Sequence, residues 1–280
     1  MTVLIRTGTP KKKNETSGQR PGEAVRAVGG ILNPASLTEQ PRPPVSKLSS
    51  AQGRTLSVEA VMDLASEILW PEAGHRQPIA IDEFDADRAQ EYSLLAMLLS
   101  RPPDAVTLDR IAKLSGDATP LGLAHLALAQ AAGNASAELI SREYFTLFIG
   151  VGRGELLPYG SYYLTGFLNE RPLARLREDL RKYGIERADG QVEPEDHAAT
   201  LCEIMAGMAR GQFQTTGGMQ QDFFERHLAS WIGRFFVDLE QAEAAEFYRR
   251  VGTLGRLFLE TETEAFRLPA RVEARNREEA

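Results

Sequence analysis

The chain has 280 residues, 42% of them hydrophobic, a single cysteine and a formal net charge of −7. That apolar content supports a sizeable core in one large or two small domains, and the lone Cys202 excludes an internal disulfide or a thiolate zinc site. Residues 1–56 hold nine Lys and Arg against three Asp and Glu, which leaves 23 against 36, a net −13, for residues 57–280. An acidic body argues against a nucleic-acid groove, which needs clustered cations, and suits a basic peptide partner.

Residues 1–56 read as a disordered basic tail, with Lys11-Lys12-Lys13, Pro41-Arg42-Pro43-Pro44 and few apolar anchors. From there Val58, Val61, Met62, Leu64, Ala65, Ile68 and Leu69 recur at helical spacing until Trp70-Pro71 stops the run. A stronger helix covers Asp82 to Ser100, with Ala89, Tyr92, Leu95, Ala96 and Leu99 on one stripe, and ends at Arg101-Pro102-Pro103. Helices follow at about 104–115, 119–132 and 136–149, each bounded by Gly, Pro or Asn. The glycines between Gly150 and Gly160 predict a structured loop. Helices resume at Pro172 to Tyr183, stopped by Gly184, and at Pro194 to Arg210, stopped by Gly211. Gln220 to Glu240 and Glu243 to Glu262 complete the series. With no strand alternation and no internal repeat, the predicted class is all-α: one multi-helix domain over 57–265, a hinge at 183–193 and a charged tail at 266–280. No apolar run is long enough to span a bilayer, and Met1 to Pro10 is too short and interrupted for a secretory signal, so a soluble, cytoplasmic protein is expected.

Candidate chemistry is sparse. Gly150-Val151-Gly152-Arg153-Gly154 has the glycines of a phosphate cradle but lacks the preceding strand and the Lys-Ser/Thr of a P-loop. His75, His125, His197 and His227 fall on separate segments without metal-ligand spacing, so no metal is expected. Asp196 and His197 stand where a loop becomes a helix; neighbours on a helix diverge, which favours capping or partner contact over acid–base chemistry. Tyr144 and Phe148 share a helical face, as do Phe223, Phe224, His227, Leu228, Trp231 and Phe235. Such stripes suit a core, and beside the exposed glycine loop the first also suits a groove for a peptide helix.

Three segments carry a resemblance: Glu143-Tyr144-Phe145-Thr146-Leu147-Phe148, Leu157-Pro158-Tyr159-Gly160-Ser161-Tyr162-Tyr163-Leu164, and Glu193-Pro194-Glu195-Asp196-His197. With Phe224-Glu225-Arg226-His227-Leu228-Ala229-Ser230-Trp231, Phe247-Tyr248 and Phe258-Leu259, their order and spacing resemble the TorD/DmsD/NarJ-type chaperones over about residues 80–265. The resemblance implies an all-α cytoplasmic chaperone, not an enzyme and without a cofactor, that binds the precursor of a molybdopterin-dependent oxidoreductase. Binding would be through the precursor's twin-arginine signal peptide or its core, and export would wait for cofactor insertion. Carried over residue by residue, the resemblance places partner contacts at Leu147, Phe148, Pro158, Tyr159, Pro194, Asp196 and His197. It further implies weak GTP binding near Asp196-His197 and a monomer or domain-swapped homodimer. Val151 stands where many members have Pro, and Gly160 where many have an acid. A leader with two arginines and an apolar helix calls for a carboxylate rim, from Glu193, Glu195 and Asp196, beside an aromatic groove from Tyr144, Leu147, Phe148 and Tyr159. The competing readings are a GTP-hydrolysing regulator built on the glycine loop and a helical protein–protein scaffold.

Overall fold

The computed structural model describes residues 5–7, 83–188, 190–213 and 218–267. In chain order these form β1 (Ile5–Thr7), α1 (Glu83–Ser100), α2 (Ala105–Ile111), α3 (Pro120–Asn134), α4 (Ala137–Tyr144), a π-helical turn (Phe145–Ile149), α5 (Gly160–Thr165), α6 (Arg171–Lys182), β2 (Ile185–Arg187), α7 (Ala198–Ala209), α8 (Met219–His227), α9 (Ile232–Gln241) and α10 (Phe247–Arg267). The described residues are therefore overwhelmingly helical, as the periodicity predicts. The helix expected over Val58 to Leu69 lies outside them, as do the tails apart from Ile5–Thr7 and the end of α10.

Helices that are apolar all round belong inside a fold, and two here qualify. Every residue of α7 is buried, as is α1 from Glu91 to Leu99, and the two pack along each other at the centre. α10 lies against α3 and α9, and Tyr92 of α1 meets Phe258 of α10 edge-on with ring centroids 4.7 Å apart. Cys202 is fully buried on α7. Its thiol is pushed up by burial alone, as expected of a sulfur with no charged partner.

Helix starts follow local chemistry. The Asp104, Thr119 and Ser136 side chains accept from the backbone N–H groups of Thr107, Gly122 and Leu139, the usual answer to the orphan donors of a first turn. Glu143 does the same at long range: its carboxylate accepts from the N–H groups of Glu246, Phe247 and Tyr248 at 2.7 to 3.1 Å and so fixes α4 to the start of α10. Glu155 likewise accepts from Glu243 and Ala244.

Four expectations need correction. The run over Gln220 to Glu240 is two helices, because Trp231 Nε1 donates to His227 O at 2.7 Å, satisfies a terminal carbonyl and ends α8. The helix expected from Pro194 begins only at Ala198, since Pro194 to His197 forms a turn, closed by His197 N donating to Pro194 O at 3.2 Å, and the extended His197 is bridged to a second segment. The glycine-rich loop closes earlier than expected, in α5 at Gly160. Two strands were missed as well: β1 pairs antiparallel with β2, Ile5 opposite Arg187 and Thr7 opposite Ile185, which places a strand where a tail was expected and another inside the expected hinge. Three residues are too few for a period-two signature.

Candidate functional site

Two segments, Pro158–Tyr159 and Asp196–His197, meet as an antiparallel bridge between the extended residues Tyr159 and His197. Gly160 N donates to Asp196 O at 2.9 Å and Ala198 N to Pro158 O at 2.8 Å. Each segment runs directly into a helix, so the starts of α5 and α7 lie side by side. Asp196 then serves α5: its Oδ2 accepts from Ser161 N at 2.7 Å and from Ser161 Oγ at 2.5 Å, a carboxylate where a helix N-terminus favours one. His197 serves α7 by accepting from Ala199 N at its Nδ1, 3.1 Å away. That bond requires a free Nδ1 lone pair and so sets the neutral ring with its proton on Nε2. Burial depresses the His197 pKa against the pull of Glu193 and Asp196 and keeps the ring neutral.

The remaining carboxylates are engaged inside the protein too. Glu193 accepts from the Tyr159 hydroxyl. Burial first, and Glu193 second, pushes the phenols of Tyr159 and Tyr144 up. Glu195 receives Arg177 at 2.8 Å from both Nε and Nη2. The three acids expected to form a rim thus hold together Tyr159, Arg177 and Ser161.

Of the seven residues expected to contact a partner, Pro158, Tyr159, Pro194, Asp196 and His197 are brought together at this junction, with the Tyr159 and His197 rings 5.0 Å apart. Tyr159 and Pro194 are half-buried, whereas Pro158, Asp196 and His197 are buried. Leu147 is fully buried, and Phe148 is partly covered by Tyr144 and Tyr248 at 5.0 and 5.4 Å. The opposite side of the same turn exposes Phe145 (45%) and Ile149 (54%), and the following loop exposes Val151 (98%). Sequence reasoning missed all three. The available signal was that four of five residues in Phe145-Thr146-Leu147-Phe148-Ile149 are apolar, too many for one buried face.

The loop carrying Val151 is held firmly. Gly150 N closes the π-helical turn on Phe145 O at 2.6 Å, and Gly150 has φ +62° in a space where a Cβ would lie 2.0 Å from Arg153 O. Arg153 donates to the Tyr162 hydroxyl at 2.7 Å, and Leu156 N donates back to Leu147 O at 2.8 Å. These glycines serve a tight reversal, so their spacing needs no anion to explain it.

A cavity of about 300 Å³ opens where α5, α6 and α7 meet Trp231. Leu164, Leu176 and Leu201 supply apolar wall, and Arg175, Lys182 and Arg226 line it together with Glu178 and Asp179, to which Lys182 is paired. Asp196 also lines it, and its buried Oδ1 has no hydrogen-bond partner among the described protein atoms. His227 Nε2 donates to Asp179 Oδ2 at 3.0 Å. Burial opposes ionisation of Asp179, but Lys182 and His227 outweigh it and hold its carboxyl below the usual range; burial holds the His227 pKa down. A Cβ on Gly160 would stand 3.1 Å from Trp231 Nε1, so an acid at 160 would require the indole to give by a few tenths of an ångström. Among the described residues, no group of three or more His, Cys, Asp or Glu is placed to hold a metal, and no helix is long and apolar enough to cross a membrane.

Residues 115–237 match the family model of the nitrate reductase delta subunit. The chain is similar to the chaperone protein TorD of Vibrio cholerae serotype O1, 28% identical over 130 residues that cover 43% of this chain and 59% of that one. It is also similar to the TorD chaperone of Vibrio vulnificus, 25% identical over 191 residues, 60% of this chain and 89% of the relative. The chain thus spans about three-fifths of the length of the Vibrio cholerae relative. A solved structure described as a redox enzyme maturation protein from Archaeoglobus fulgidus aligns with 66% of this chain and 99% of its own, at 22% identity and a TM-score of 0.43.

Proposed function

Since this chain belongs to the TorD/DmsD/NarJ-type chaperone family, we propose that it captures, in the cytoplasm and without catalysis of its own, the apo-precursor of a molybdopterin-dependent oxidoreductase. The precursor is held by its twin-arginine signal peptide until the cofactor is inserted. The observation that carries this reading is the solvent-facing trio Phe145, Ile149 and Val151 on a turn whose other face is locked into the core. Exposed apolar side chains on a rigid support are suited to reversible capture, because little ordering entropy is lost on binding. At the Tyr159–Glu193 pair an arginine of the leader would compete with the tyrosine for that carboxylate.

The test is affinity capture of the tagged protein from its native cytoplasm, compared with a Phe145→Ser/Ile149→Ser variant. A molybdoenzyme precursor with an intact twin-arginine leader, recovered by the wild type and lost in the variant, is expected. Recovery of only mature or unrelated proteins, unchanged in the variant, would favour the scaffold reading instead.

The cavity beside Asp196 favours a second, compatible activity, weak GTP binding: Asp196, whose Oδ1 lacks a partner, would take base N–H donors, and Arg175 would meet the phosphates, joined by Lys182 and Arg226 once these leave Asp179. Titration calorimetry with GTP and ATP should show GTP preference that disappears in Asp196→Asn.

A further inference from the structure

Asp179 draws three side chains of the cavity together. Its Oδ1 lies 2.9 Å from Lys182 Nζ, while its Oδ2 accepts from His227 Nε2 at 3.0 Å and faces Arg226 Nη1 at 3.6 Å. These four groups differ in what can move. The side chains of Asp179 and His227 are 8% and 7% exposed, whereas those of Lys182 and Arg226 are 57% and 58% exposed. Lys182 and Arg226 can swing to an anion at the mouth. Asp179 and His227 stay in the wall, where Trp231 Nε1 ties down the His227 carbonyl. The buried carboxylate thus holds two cations that a ligand phosphate would need.

We propose that Asp179 stands in for a ligand phosphate on Lys182 and Arg226, and that a phosphate binding there draws a proton from solution onto His227. This rests on the phosphate half of the nucleotide reading above and not on the choice of base. A phosphate that takes both cations leaves Asp179 ionised and buried with only a neutral imidazole beside it. Such a charge is costly, and a proton on either partner relieves it. The imidazole is the stronger base, at about 6.5 against about 3.9 for a carboxylate. Its Nε2 already donates to Asp179, so the proton goes to Nδ1 and an imidazolium replaces the departed cations. Sharing the cavity with His227 are Arg175, Glu178, Asp179 and Lys182 on α6, Asp196 ahead of α7, and Arg226 beside it on α8. In the free protein burial depresses the His227 pKa most, Asp179 opposes that, and Arg226 adds to it. An arriving phosphate brings negative charge, draws Arg226 aside, neutralises Arg175 and uncovers Glu178, which Lys182 also pairs. Each change raises that pKa. Affinity is therefore highest below the free value, itself under about 6.5, and weakens by up to about tenfold per pH unit as pH rises towards the bound value.

The probes are GTP and inorganic triphosphate, titrated calorimetrically near neutral pH in buffers of different ionisation enthalpy, so that the buffer dependence of the heat counts protons. Triphosphate should bind with proton uptake. A phosphate meeting cations sheds protons, so uptake is opposite in sign to anything the probe contributes. His227→Gln, which still donates to Asp179, should bind without uptake and with an affinity that no longer rises as pH falls. Asp179→Asn frees both cations, still accepts from His227, and should bind triphosphate more tightly than wild type at neutral pH, again without uptake. A His227 that merely braced the wall would change affinity equally at every pH and leave the proton count alone. The His227 ring resonance, titrated by NMR with and without triphosphate, reads the same shift in the unaltered protein should either variant lose its native circular dichroism. Binding without uptake, or uptake that persists in His227→Gln, overturns the proposal and leaves the nucleotide reading standing. Uptake on triphosphate with no preference for GTP removes the guanine half of that reading and supports the proposal. Failure of both probes to bind at acid and neutral pH overturns both.

Discussion

Asp196 and His197 are neighbours in sequence yet cap different helices, one reaching sideways to Ser161 and the other forward to Ala199. Their prominence was legible from residue type beside Pro194, and so was the preference for capping over catalysis. Which helix each one caps was not, because the partner Ser161 is 35 residues away. Histidine environment also sets the pH response. His197 and His227 have folded pKa values held down by burial, so the stability they contribute is present above the unfolded value of about 6.5 and is lost as pH falls through their folded values. His125 differs: burial alone would lower it, but Glu91, 2.8 Å away, outweighs burial and raises it. Its contribution is complete below about 6.5 and is lost as pH rises through its folded value. Two histidines against one predict a melting temperature that falls between pH 7.5 and 5.5. His227→Gln, still able to donate to Asp179, should flatten that fall and His125→Gln should steepen it; thermal melts across the range read both.

At the scale of elements, long periodic stretches such as Glu83–Ser100 and Pro120–Asn134 were readable to within a few residues, since their ends carry proline, a capping side chain or both. The elements that escaped depend on contacts distant in sequence or are too short to show a period. The π-helical turn is one: its fifth-residue closure onto Phe145 O is what separates buried Leu147 from exposed Phe145 and Ile149. The α8–α9 break is another, hidden because an indole hydrogen bond interrupts an unbroken apolar stripe. The glycines of α10 also reveal themselves only in the fold. Gly255 lies under Phe236, a fully buried ring that a Cβ would overlap. Gly255→Ala should therefore destabilise by about 1–3 kcal/mol in urea unfolding, and adding Phe236→Leu should recover part of the loss. Gly233→Ala, on α9 where an added Cβ meets nothing within 4 Å, should instead be neutral or stabilising by up to about 0.5 kcal/mol.

Across the whole molecule, one buried ionic cluster joins the first and last described helices. Arg88 of α1 binds both oxygens of Glu262 on α10 at 2.7 and 2.8 Å, Tyr92 donates to the same carboxylate at 2.9 Å, and Arg88 also reaches Gln220 on α8. Removing one partner would strand a buried charge. Arg88→Leu should cost about 3–5 kcal/mol, with Arg88→Leu/Glu262→Leu closer to wild type than either single variant in chemical denaturation. This tie was invisible in the sequence, where its two ends are 174 residues apart, while the all-α class was plain from periodicity alone.

The burial of Cys202 turns the protein's only sulfhydryl into a clock. Sealed between the two central helices and with its ionisation suppressed, it can meet an alkylating reagent only when α1 and α7 part. The labelling rate therefore reports the population of the open core where reclosing outpaces alkylation, and its opening rate where alkylation is the faster. Any molecule that binds only the closed form slows that clock in proportion to its occupancy, so cell fractions can be searched for the client before its identity is known.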